Sequence, residues 1–190
     1  LHPGRPRSRA VTVPYRTAKS IPMLTQSQRL ELVRNCLEFQ QVAVSTRIAG
    51  LISLLWAHPL VKIAALTTDR LERLPEGMTI KLGGNPAAVP ELVAPLFWEH
   101  LSNRGNQQTS NTGTNWLFPG FRAGQHIHHR TLGERFLVLG IDPQRARNAT
   151  LQDLVRQVDA RSLIDLLGYS GSIVTQHASR AGAPMSDYVD

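Results

Sequence analysis

Apolar positions recur at intervals of three and four over most of the chain, and these stripes predict a mainly helical protein with one short passage of strand character. Thr25 and Gln28 stand three apart at the head of the first stripe, the spacing of a capping box, and Leu30, Val33, Leu37 and Gln41 continue it. A second helix is predicted from about Ser45. It carries Ile48, Leu51, Ile52 and Leu55 and ends near Trp56, because Pro59 forbids smooth continuation. Residues 60–66 supply one or two further turns, and then the period changes. Met78-Thr79-Ile80-Lys81-Leu82 and Ala87-Ala88-Val89 flank Gly83-Gly84-Asn85-Pro86, which predicts a small hairpin with a Gly/Asn/Pro turn. Pro90 and Glu91 open the next helix, with Leu92, Val93, Leu96, Phe97 and Leu101 on its buried side.

Residues 103–115 contain no apolar side chain and are rich in Gly, Asn, Thr and Gln, so they predict a solvated, mobile loop. Trp116-Leu117-Phe118-Pro119-Gly120 re-enters the core as a short extended piece. A helix holding Leu132, Phe136 and Leu139 ends at Gly140, Ile141-Asp142-Pro143 forms a turn, and a helix from Ala146 carries Ala149, Leu151, Leu154, Val155 and Val158. Asp159 caps the one after it. The last stretch, residues 160–182, holds two amphipathic runs separated by Gly168-Tyr169-Ser170, with Gly168 as helix stop and Ser170 as N-cap. In the second run Ile173, Val174, His177, Ala178 and Ala181 share one face. Ser172, Thr175, Gln176, Ser179 and Arg180 face outward, a set that suits a helix laid against DNA and equally an ordinary helical hairpin. The fold class is therefore mainly α with a small β hairpin or sheet (α+β). A basic, Pro-containing linker occupies residues 1–23, one domain 24–182 and a tail 183–190.

Charge narrows the partner. The chain's 21 Lys and Arg against 14 Asp and Glu give a net charge of +7, which points to a polyanion. Arg5, Arg7, Arg9, Arg16 and Lys19 put part of that charge in the leading segment, so a basic tail on a neutral domain competes with this reading. Cys36 alone makes neither a disulfide framework nor a thiolate metal site, and fits a reducing cytoplasm. No apolar run is long enough to span a membrane, and the start lacks the apolar core of a signal peptide. Because the chain opens on Leu1, it reads as the downstream part of a longer protein. His126, His128 and His129 lack a nearby carboxylate or Cys partner and read as solvated; no metal and no other cofactor is expected. Trp56, Trp98 and Trp116 stand in apolar contexts that favour packing over base stacking.

The order of elements, together with several local strings, resembles the catalytic domain of tyrosine recombinases, the phage integrase superfamily. The similarity runs from about Leu24 to Tyr188 and rests on residues 54–71 (LLWAHPLVKIAALTTDRL), the hairpin at 78–89, Pro90-Glu91-Leu92, Leu117-Phe118-Pro119, Gln144 to Arg147, and Leu167-Gly168-Tyr169. It implies binding to double-stranded DNA, allows a homo-oligomer on that DNA, and requires no cofactor. DNA strand transfer needs a nucleophile and several cationic or hydrogen-bonding groups around the developing negative charge. Arg147 fits the family's second Arg. The first would fall near Pro59, with Lys62 one turn on, and Lys81 lies in the strand before the turn that should carry a Lys. Gln144 and Tyr169 stand where the family has His. The window for the nucleophilic Tyr holds Gln176, His177 and Ala178, and Tyr188 lies well beyond it. Degenerate recombinase-like proteins of high-GC actinobacteria, with Arg-Asn-Ala where Arg147-Asn148-Ala149 stand and a Tyr near the end, are the more similar subgroup. The resemblance thus implies DNA contacts at Lys62, Lys81, Gln144, Arg145, Arg147, Tyr169, Thr175, Gln176, His177 and Arg180, and assigns any surviving catalysis to Arg147 and Tyr188. Three functions stay open: a DNA-binding protein derived from a recombinase, an active recombinase with a displaced Tyr188, and a helix-turn-helix transcription regulator.

Overall fold

The structure is a computed structural model that describes residues 23–105 and 113–181, of which Arg180 and Ala181 are described by backbone alone. The leading segment, the middle of the 103–115 loop, Tyr188 and the tail lie outside the described residues. The elements are helices α1 (Gln26–Glu38), α2 (Val44–Trp56) and α3 (Leu60–Ala64), strands β1 (Leu71–Leu74), β2 (Gly77–Ile80) and β3 (Ala87–Val89), then α4 (Ala94–Ser102), α5 (His129–Phe136), α6 (Pro143–Gln157), α7 (Ala160–Leu167) and α8 (Gly171–Ala181). Short 3-10 turns at Thr68–Arg70 and Leu137–Leu139 complete the set. No helix among the described residues is long and apolar enough to cross a membrane.

Helix α2 is the axis of the domain. It packs against α1, α3, α4, α5 and α6, and Ile48, Leu51, Ile52 and Leu54 are all 0% exposed. A helix buried over most of its surface is mostly apolar, and each fully buried aliphatic side chain contributes roughly 1.5–3 kcal/mol. Gly50 permits the close approach: a Cβ there would stand 2.9 Å from Ile141 Cδ1 and 3.0 Å from Cys36 Sγ. Arg47 is buried in α2 as well, and its guanidinium donates to the carbonyls of Cys36, at 2.7 Å, and Leu37. Those are two of the carbonyls that the end of α1 leaves without helical partners.

Several boundaries differ from the periodicity. The capping box at Thr25 and Gln28 forms as expected, but α1 stops at Glu38, so Gln41 lies beyond it, and Leu30 is 55% exposed. Val33 and Leu37 pack against the core as expected, joined there by Leu32 and Cys36. Helix α4 begins at Ala94 rather than at Pro90-Glu91. Residues 90–93 form a turn closed by Val93 N–H on Pro90 O, which leaves Leu92 exposed. Helix α6 begins at Pro143, not Ala146, because the Asp142 carboxylate accepts from the N–H groups of Gln144 and Arg145, turning the expected loop into a cap. The hairpin forms with Met78 opposite Val89 and Ile80 opposite Ala87, and β1 adds a third antiparallel strand with Leu71 opposite Ile80. Strand β1 was not legible: Leu-Glu-Arg-Leu is too short and too charged to show a period of two. At the base of the 103–115 loop, Arg104 Nη1 donates to the carbonyls of Thr114 and Trp116, at 3.0 and 2.9 Å.

Candidate functional site

The site begins at the C-terminal end of α2, where a helix exposes carbonyls that must find donors elsewhere. Leu54 O accepts from Arg29 Nη1 at 3.2 Å and from Thr150 Oγ1 at 2.9 Å. The carbonyls of Trp56 and Ala57 both accept from the Tyr169 hydroxyl, the former at 3.3 Å. Ala57 then turns the chain in the left-handed region, at φ 54°, and delivers His58 and Pro59 to the start of α3.

A second corner, between α7 and α8, meets the first. Gly168 ends α7 at φ 66°, a conformation that suits a residue without Cβ. Its carbonyl accepts from Lys62 Nζ at 3.1 Å. Lys62 and Tyr169 therefore cross-link the two corners in opposite directions. The β2–β3 turn closes against the same place: a Cβ on Gly83 would fall 2.5 Å from Gly168 N and 2.6 Å from Asp165 O, and Asn85 N–H donates to Asp165 O at 2.9 Å.

Arg147, half-buried early in α6, completes the cluster. Its guanidinium carbon stands 5.7 Å from the centre of the Tyr169 ring, a cation-π contact, while its Nε is buried without a hydrogen-bond partner. Among the described residues no carboxylate forms an ion pair with Arg147 or Lys62; Arg29 and Arg156 pair instead with Asp153, further along α6. His58 is 2% exposed, and its Nδ1 also lacks a partner. Burial first, then the positive charges of Lys62 and Arg147, push its pKa down to about 3, so the ring is neutral at physiological pH. Tyr169 moves the other way: burial raises its hydroxyl to about 12 against the opposing pull of Arg147. The arrangement is two cations and two neutral polar rings with no paired anion among the described residues, and chemically it can hold one.

Of the residues named from sequence, Lys62, Arg147 and Tyr169 meet here. Tyr169 is buried and turned onto backbone carbonyls. Gln144 and Arg145 lie in the first turn of α6, Gln144 exposed and Arg145 partly so. Lys81 sits exposed just past the end of β2 rather than within a strand, its N–H on Arg70 O at 2.7 Å. On α8, Val174 faces inward at 1% exposure, Gln176 is exposed, and Thr175 and His177 are half-buried. The Arg180 side chain and Tyr188 lie outside the described residues. His128 Nδ1 accepts from Arg130 N–H, and among the described residues no three His, Cys, Asp or Glu gather as a metal site. His58 went unnoticed in the sequence, where a lone His before a Pro carries no signal of what will surround it.

No protein-family model matches the sequence, and no curated protein matches it. Solved structures do. XerA recombinase superposes with a TM-score of 0.64 at 14% identity, over 87% of this chain and 61% of its own. XerH site-specific recombinase, bound to its difH substrate in a pre-cleavage complex, gives 0.62 at 14% identity, over 86% of this chain and 52% of its own. The Tn1549 transposon integrase, in complex with circular intermediate DNA, gives 0.60 at 16%, over 90% and 64%. The chain thus spans between 52% and 64% of the length of these proteins. Its fold, mostly helical with a small three-stranded antiparallel sheet, is that of the tyrosine recombinase catalytic domain.

Proposed function

We propose that this domain binds double-stranded DNA through the phosphate backbone and does so without cutting the strand. The observation that carries the reading is the cluster of Lys62 and Arg147 around the α2–α3 and α7–α8 corners, with no carboxylate paired to either among the described residues and with a buried, unpartnered Arg147 Nε. Cations left without an internal anion favour an external one, and phosphate oxygens match the guanidinium fork. The net charge of +7 supports the same partner. So does the fold, since XerH and the Tn1549 integrase were both solved on DNA. The helix-turn-helix regulator reading loses support, because α7 and α8 belong to a recombinase-like order of elements.

The one tyrosine among the described residues speaks against cleavage. Tyr169 is buried, donates its hydroxyl to backbone carbonyls, and has its pKa raised to about 12, all of which make it a poor nucleophile. The turn of α8 where the resemblance places a nucleophile holds Gln176, His177 and Ala178. Three measurements test the reading. Duplex binding, followed by fluorescence anisotropy from low to moderate salt, weakens steeply in the unaltered chain, and Arg147→Ala or Lys62→Ala each flattens the logarithmic slope by about 1. Counting copies per duplex by mass photometry in the same samples shows whether the protein assembles on DNA. A nicked suicide duplex traps no covalent adduct; an adduct lost in Tyr188→Phe would instead establish an active recombinase.

A further inference from the structure

Tyr169 touches two parts of the cluster and adjoins a third. Its hydroxyl holds the Trp56 and Ala57 carbonyls at the end of α2. Its ring lies 5.7 Å from the Arg147 guanidinium carbon. Its chain neighbour, Gly168, accepts from Lys62. Arg147 is a long side chain with many rotamers and, among the described residues, no acidic partner to fix it. An Arg left to wander would lose that freedom only when DNA arrives, which weakens binding. The Tyr169 face removes the difficulty beforehand: the guanidinium lies against the ring by cation-π attraction, and its Nε is kept out of water. The ring in turn is held by its own burial, with Tyr169 only 6% exposed.

We propose that Tyr169 is a positioning residue of the phosphate site, which makes no contact with DNA itself and sets the Arg147 guanidinium in the orientation in which it meets the backbone. The proposal rests on the DNA-binding reading above and adds how that site is preorganised. It separates two parts of the Tyr169 side chain. Phe at this position keeps the ring under Arg147 and loses the carbonyl bonds; Leu loses both.

The test has one readout without DNA and one with it. By NMR, the Arg147 Nε–H signal in the unaltered chain is shifted by the ring and exchanges slowly with water; Tyr169→Phe retains these features and Tyr169→Leu abolishes them. In duplex binding, Tyr169→Leu loses the share of the salt slope that Arg147→Ala loses, about 0.9 for one phosphate contact. The affinity loss is about tenfold or more, as for a charged hydrogen bond. The double variant Arg147→Ala/Tyr169→Leu binds no more weakly than Arg147→Ala. Full additivity of the two losses, or an Nε–H signal unchanged in Tyr169→Leu, overturns the proposal. Should Tyr169→Leu not fold, Tyr169→Phe decides alone: a folded Phe variant that has lost Arg147's share of the slope overturns it. If the unaltered chain binds no duplex, the DNA reading fails, while the Nε–H signal still decides whether Tyr169 sets Arg147.

Discussion

Acid destabilises this protein through His58, and the size of the effect follows from where the ring sits. The imidazole is 2% exposed and neighbours two cations, so the folded chain holds its pKa at about 3, against 6.5 for a free side chain. A histidine with a depressed folded pKa takes up its proton more readily once unfolded. Its contribution is therefore complete above pH 6.5 and drains away as pH falls toward 3. Each pH unit in that window costs about 1.4 kcal/mol, which makes about 2 kcal/mol by pH 5. That is a large part of the stability of an ordinary domain. The perturbation is His58→Leu, which keeps most of the volume and removes the titrating group; the Nδ1 of His58 has no hydrogen bond to lose. Urea unfolding at intervals from pH 8 to pH 4.5 gives the comparison. His100, buried and donating from Nε2 to Leu117 O at 2.7 Å, also has a lowered pKa, chiefly from burial, but it is common to both proteins and cancels in their difference. The unaltered chain should lose about 2 kcal/mol more than His58→Leu between pH 7 and pH 5. Parallel curves would show that the ring is not held neutral and that the charge cluster around it does not exist as described.

Two backbone features give further expectations. Gly83→Ala drives a Cβ to within 2.5 Å of Gly168 N, a backbone atom that cannot step aside, and should cost about 1–3 kcal/mol in thermal or urea unfolding. Gly84→Ala, whose Cβ would meet only Asp165 O at 3.5 Å, is the near-neutral control; equal effects at both positions would refute the docking of the hairpin turn on α7. Asp142→Ala removes the cap that starts α6 ahead of Arg147 and should lower stability by about 1 kcal/mol, seen as a shift in the urea midpoint with unchanged slope.

What the residues alone determined here is local and periodic. Thr25 and Gln28, Asp159 and Gly168 announce their helix ends because caps act over three or four residues. The Gly83-Gly84-Asn85-Pro86 turn announces its hairpin for the same reason, and α2 shows as an apolar run because most of its residues are buried. The mainly α fold with a small sheet, and its likeness to the recombinase domain, were legible at this level. Tertiary structure decided where packing outweighed the local signal. Leu92 stays outside although it is apolar, Asp142 caps a helix instead of closing a turn, and β1 pairs only because β2 is there to receive it. It also decided the chemistry of the site. Tyr169 is 112 residues from Ala57, and Lys62 is 106 from Gly168. No spacing rule reaches that far, so nothing in the string shows that a tyrosine standing in a histidine's place would be tied down by its hydroxyl, or that a histidine before a proline would sit neutral between two cations. Charge, burial and hydrogen bonding at such a point are properties of the enclosure, and the enclosure exists only once the two corners have closed on each other.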